Sequence, residues 1–244
     1  MRAWLIICLS FFSFGAVAAD YAREKRWADE ITPSILVGEA VELSAQKRNF
    51  LAILTPAEKT RAGVIVVHGL GVHPDWNMIG VLRTGLPQAG YTTLSIQMPV
   101  LEASAKADAY KSTFPEAARR LAAAVEYLNK RGIDKIAIVS HSMGAAMTQY
   151  YLSKTPTAPV QAWVSIGISM PEPYAKLKLP ILDLYGAEDL PPVLANASAR
   201  AEELKANPAS KQIVAPATDH FFNNRDAELV KYVKDYLDSI FPAP

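Results

Sequence analysis

Residues 140–144 read Ser-His-Ser-Met-Gly, directly after the apolar run KIAIV at 135–139. A serine centred on such a pentapeptide, between a strand and a helix, sits on a strained turn that exposes its hydroxyl as a nucleophile. The residues two before and two after it must be small, because strand end and helix start nearly touch there. Gly144 meets that demand, and Ser140, standing where glycine is usual, is small enough to fit. The plainer role is capping, since either Ser140 or Ser142 could cap the alanine-rich helix that follows.

A serine hydroxyl needs an imidazole to take its proton and a carboxylate to hold that imidazole in the right tautomer. The chain has four histidines. His141 adjoins Ser142 and would point away from its hydroxyl, while His68 and His73 lie in an earlier loop. His220 remains, in PATDHFFNN, after the strand-like KQIVA and ahead of the last helical stretch. For the acid, Asp189 stands a few residues beyond ILDLY in a loop ended by Pro191-Pro192, giving the chain order Ser, Asp, His. Glu188 is the alternative beside it. Asp183 falls inside the strand and reads as structural, and Asp219 adjoins the base.

The elements that must position these groups alternate. Residues 41–58 form two apolar-rich runs around Gln46, Lys47 and Arg48, a hairpin pattern. Short β-rich runs follow at 63–67, 91–96, 133–139, 160–166 and 181–185, with a late run at 212–214, several of them apolar throughout as in strands buried on both faces. Helices are predicted at 114–130, 143–152, 190–206 and 226–241. In the first, Ala118, Leu121, Ala122, Val125 and Leu128 recur at three- and four-residue spacing. Strands alternating with helices predict an α/β fold: a mostly parallel sheet with an N-terminal antiparallel edge and helices on both faces. In such sheets the loops after the strands' carboxyl ends carry the site, and Ser142, Asp189 and His220 all fall there.

Composition bounds the function. The 244 residues are 50% hydrophobic with a formal charge of +1, without the basic excess of a nucleic-acid binder. Residues 1–19 place Arg2, an apolar run and Ala16, Ala18 and Ala19 in the order of a signal peptide, with cleavage expected before Ala19 or Asp20. Residues 20–244 are then one domain, periplasmic or secreted, with no membrane span. Cys8 is the sole cysteine and falls within the leader, so the mature chain has no thiol for a disulfide or a metal. No metal or cofactor is called for, and oligomeric state is open.

The segments VVHGLG at 66–71, SHSMG at 140–144, LYGAEDLP at 184–191 and TDHFF at 218–222 together resemble the α/β-hydrolase superfamily. Within it, the stretch from HGLGVHPDW to SIQMPV resembles the exported bacterial family DUF3530. The resemblance implies an oxyanion hole formed by the backbone N–H groups of Leu70 and Met143, with His68 a structural histidine bonding loop backbone. His73 and Trp76 follow in a loop long enough to line a pocket; Trp76 is either a substrate wall or the cover of a helix end. Superfamily members often carry a helical lid after the strand that follows the nucleophile helix, but residues 169–179 are too few for a lid domain. An open pocket is expected, formed by the loops at 73–78, 98–114, 170–174 and 221–222. The implied activity is hydrolysis of a small-molecule acyl compound, an ester first and an amide, peptide or thioester second. A non-catalytic envelope binding protein on the same fold is the alternative from another class.

Overall fold

The computed structural model describes residues 19–243, so all of the expected leader but Ala19 lies outside it. Among these residues, eight strands form one sheet: β1 (Glu39–Ala45), β2 (Arg48–Thr55), β3 (Ala62–Val67), β4 (Tyr91–Ile96), β5 (Ile136–His141), β6 (Ala162–Ile166), β7 (Ile181–Glu188) and β8 (Lys211–Asp219). Their order is β1-β2-β4-β3-β5-β6-β7-β8. The β1–β2 and β2–β4 pairs are antiparallel and all others parallel. The two-residue turn between β1 and β2 places Gln46 and Lys47 at φ 50° and 64°, which matches the twist of a hairpin.

Among the described residues, seven α-helices surround the sheet: α1 (Tyr21–Ile31), α2 (Asn77–Gly85), α3 (Phe114–Lys130), α4 (Met143–Lys154), α5 (Pro191–Ala195), α6 (Ala197–Leu204) and α7 (Asp226–Ile240). Side chains alternate across a strand, and β3 shows the result. Ile65 and Val67 enter a core with Leu121, Val125 and Met147 of α3 and α4, while Val64 and Val66 enter a second core with Ile79, Leu82, Leu229 and Val233 of α2 and α7. Both faces of the sheet are therefore buried, as continuous apolar runs predict.

The elements differ from expectation in several places. Helices α1 and α2 lie where the sequence suggested none. The single helix expected at 190–206 is two, because Asn196 leaves helical geometry (φ −102°, ψ 1°) and its side chain donates to Pro192 O at 2.9 Å. Strand β5 begins at Ile136, three residues later than predicted, and runs to His141. The late strand, legible only at 212–214, extends as β8 from Lys211 to Asp219.

Residues 169–179 form no lid. Gln149 of α4 clamps them, accepting from Glu172 N–H at 2.8 Å and donating to Glu172 O at 2.6 Å. Tyr174, expected on the pocket wall, is buried, and its hydroxyl donates to Ser165 Oγ at 3.1 Å. Phe222 is likewise buried in the core rather than lining a pocket.

Candidate active site

The turn from β5 to α4 holds Ser142 at φ 55° and ψ −119°, a conformation that a non-glycine residue adopts at a cost and that the surroundings must enforce. Its N–H donates to Ile166 O of β6 at 2.8 Å. Two residues on, a Cβ at Gly144 would stand 2.2 Å from His68 O, so only glycine lets α4 start this close to β3. Two residues earlier, Ser140 faces the core, where its Oγ accepts from Trp163 Nε1 at 2.7 Å. The side chain that replaces the usual glycine is thus bonded below the turn.

Three strand ends bring three side chains together. His220, just past β8, lies with Nε2 2.9 Å from Ser142 Oγ and Nδ1 2.6 Å from Asp189 Oδ1, just past β7. The carboxylate opposite Nδ1 assigns the ring proton to that nitrogen, which leaves Nε2 to accept from the serine hydroxyl. Asp189 is buried and accepts further from Leu190 N–H at 2.7 Å and Gly186 N–H at 3.3 Å. Gly167, at the end of β6, makes the space: at φ 56° it is in the left-handed region, and a Cβ there would be 3.0 Å from both Nδ1 and Cε1 of His220. The sequence reading passed over Gly167, although a glycine directly after a strand was a signal for close approach.

The competing carboxylates have other partners. Glu188 is exposed at the end of β7. Asp183 is fully buried in the strand, where Arg200 Nε donates to it at 2.9 Å and Gln212 Nε2 at 2.8 Å. Asp219 shapes the loop that carries His220, its Oδ1 accepting from the N–H groups of Phe221 at 3.0 Å and Asn223 at 3.1 Å.

The other histidines also have fixed places. His141 turns away from Ser142, and its Nε2–H donates to His220 O at 2.9 Å; burial, with His220 alongside, lowers its pKa to about 3. His68 is buried, which lowers its pKa to about 3 as well. Its Nε2 accepts from Met98 N–H at 2.9 Å, so Nδ1 carries the proton and donates to Gly69 O at 2.8 Å. In a trans peptide the C=O and the next N–H point opposite ways. Holding Gly69 O therefore aims the Leu70 N–H away from His68. Among the described residues, neither that N–H nor the N–H of Met143 has a protein acceptor.

Around the serine the surface is open and apolar. Phe221 packs edge-on against His220 with centroids 5.0 Å apart, and Trp76 packs against Phe221 at 5.6 Å, so the two rings continue from the imidazole as one wall. Leu70, Leu190 and Phe221 are 39%, 43% and 39% exposed. His73 takes a different position: its ring lies 5.7 Å from Trp27 of α1, and its Nδ1 accepts from Asp75 N–H at 3.3 Å.

A parallel sheet with an antiparallel start, a strained serine turn after β5 and helices on both faces define an α/β-hydrolase fold, and solved structures agree. A dienelactone hydrolase from Anabaena variabilis superposes with a TM-score of 0.69 at 21% identity, over 84% of this chain and 98% of that one. A lidless α/β serine hydrolase from Xanthomonas campestris gives 0.66 at 17% identity, over 86% and 97%. Est1E from Butyrivibrio proteoclasticus gives 0.67 at 15% identity, over 84% and 100%. No curated protein matches the chain. Residues 19–119 and 102–239 match the family described as "Protein of unknown function (DUF3530)", and the chain belongs to that family.

Proposed function

We propose that the protein is a serine hydrolase that cleaves carboxylic esters through an acyl-enzyme intermediate. The observation that carries this reading is the Ser142–His220–Asp189 relay, with contacts of 2.9 Å and 2.6 Å. As Ser142 Oγ attacks the acyl carbon, its proton passes to His220 Nε2, and the buried Asp189 carboxylate stabilises the imidazolium that forms. The carbonyl oxygen takes up the electron pair of the opened π bond. The N–H groups of Leu70 and Met143 are assigned to that charge; losing one such donor typically costs about 3 kcal/mol of barrier. Collapse expels the alcohol, which takes the proton from His220. Water then attacks the acyl-enzyme by the same route, releasing the acid and restoring Ser142. No metal or cofactor enters these steps.

The short 169–179 segment and the exposed rim favour small or extended acyl groups over long buried chains. We assign Trp76 and Phe221 to contact them, and not His73, whose ring packs against Trp27 of α1. Together with the signal-peptide pattern at 1–19, the reading makes this an exported hydrolase, periplasmic or secreted, acting on a small molecule. The test uses purified mature protein, a fluorophosphonate probe and p-nitrophenyl esters of graded chain length. Wild type should label and turn over, and Ser142→Ala should do neither, with turnover down at least about a thousandfold. Equal turnover by the two proteins would overturn Ser142 as the nucleophile, and no labelling of folded wild type would favour a binding module on the same fold.

A further inference from the structure

Helix α1 buries almost nothing apolar and is anchored by polar contacts. Asp20 caps it, accepting from Arg23 N–H at 2.9 Å, and the Asp20 N–H donates to Val100 O at 2.6 Å. Glu24 is its one buried residue. Its carboxylate accepts from Arg120 Nη1 at 2.8 Å and Nη2 at 3.2 Å, and from Val100 N–H at 3.2 Å. Tyr21 adds a bond to Glu116 at 2.9 Å. The helix is thereby fixed to α3 and to the segment after β4.

That anchoring directs Arg23 at the site. Its Nη1 donates to Leu101 O at 2.8 Å and its Nη2 to Gly71 O at 3.1 Å, so one guanidinium joins the loops that follow β4 and β3. Trp27, one helical turn on, stacks under the guanidinium at 4.5 Å and packs against His73 at 5.7 Å. Residue Leu70 lies between two held carbonyls: Gly69 O, bonded by His68, and Gly71 O, bonded by Arg23. Both neighbours are glycine, with Gly71 at φ 69°, so the backbone at Leu70 meets little steric resistance to rotation. Gly69 O shares a peptide with the Leu70 N–H and sets its direction, and fixing Gly71 O two peptides on keeps the rest of the loop from turning that peptide.

We propose that Arg23 is a positioning residue for the oxyanion site, bracing from helix α1 the loop in which His68 aims the Leu70 N–H. The role rests on the acyl-hydrolase reading above. A donor misaimed by a fraction of an ångström loses part of its transition-state stabilisation while ground-state binding changes little. Arg23→Ala should therefore lower kcat by about tenfold or more with KM little altered. Phenylboronic acid supplies the readout that a merely structural role would not move, because it adds Ser142 Oγ and places a boronate oxygen where the oxyanion forms. Its inhibition constant should rise by the same factor as kcat/KM falls. Arg23→Lys, which can reach one of the two carbonyls, should fall between; it carries the test alone if the alanine variant does not fold.

Variants with wild-type kcat and wild-type boronate affinity would overturn the proposal, as would a fall in kcat/KM without loss of boronate affinity. Those results, with active wild type, leave the hydrolase reading intact. Wild type that neither turns over esters nor binds the boronate would overturn both.

Discussion

The indole N–H of Trp163 on β6 donates to Ser140 Oγ on β5 at 2.7 Å, with both side chains fully buried beneath the nucleophile turn. The hydroxyl therefore satisfies a group that glycine, the usual residue here, would leave without an acceptor. Ser140→Gly should destabilise the fold by about 1–3 kcal/mol, the cost of a buried donor left unpaired. Turnover by molecules that remain folded should change little, because Ser140 does not touch Ser142 Oγ or His220. Urea unfolding checks this; a midpoint equal to that of wild type would show that the bond contributes nothing.

The same contact shows what the sequence could and could not disclose. A small residue two before Ser142 was legible as a steric requirement, but the partner that makes serine preferable lies 23 positions away. Helix α3 was legible because its apolar stripe is long and regular. Helix α2 was not: its nine residues include Gly80 and Gly85, no side chain caps its start, and it forms because Met78, Ile79 and Leu82 are buried. Helix α1 buries only Glu24, so it shows no apolar stripe, and its place depends on the ion pair of Glu24 with Arg120, far along the chain. Chain order led to Ser142, Asp189 and His220, which the geometry brings together. The link from Arg23 to Gly71 spans 48 positions and has no local signal.

Two aspartates six residues apart on and after β7 should respond differently to the same change. Asp189→Asn keeps the shape but removes the charge that faces His220 Nδ1 at 2.6 Å and favours its proton on that nitrogen. Turnover should fall by up to about four orders of magnitude with melting temperature nearly unchanged. Asp183→Asn instead leaves Arg200, bonded at 2.9 Å and almost fully buried, without its counter-charge. The expected loss is about 3 kcal/mol of stability, with turnover per folded molecule retained. Paired melting and ester-turnover measurements separate the two. Loss of turnover in both variants at unchanged stability would mean that Asp183 also serves the site.

His141 gives the fold a dependence on pH that can be isolated. Burial, followed by the nearby His220, lowers its folded pKa from 6.5 to about 3. Between those values the unfolded chain binds the proton and the folded protein does not, so stability is complete above about pH 6.5 and declines as pH falls toward 3. One such group contributes a slope of at most about 1.4 kcal/mol per pH unit. His68, lowered to about 3, acts in the same sense, whereas Glu24 and Asp183, raised by burial, act in the opposite one. The whole protein's profile thus mixes signs, and a difference between two proteins isolates His141. His141→Gln retains an N–H to donate to His220 O but cannot titrate. Wild type should lose up to about 2 kcal/mol relative to this variant between pH 6.5 and 5, read from urea midpoints at each pH. An offset that stays constant across that range would show that His141 is not held neutral by the fold.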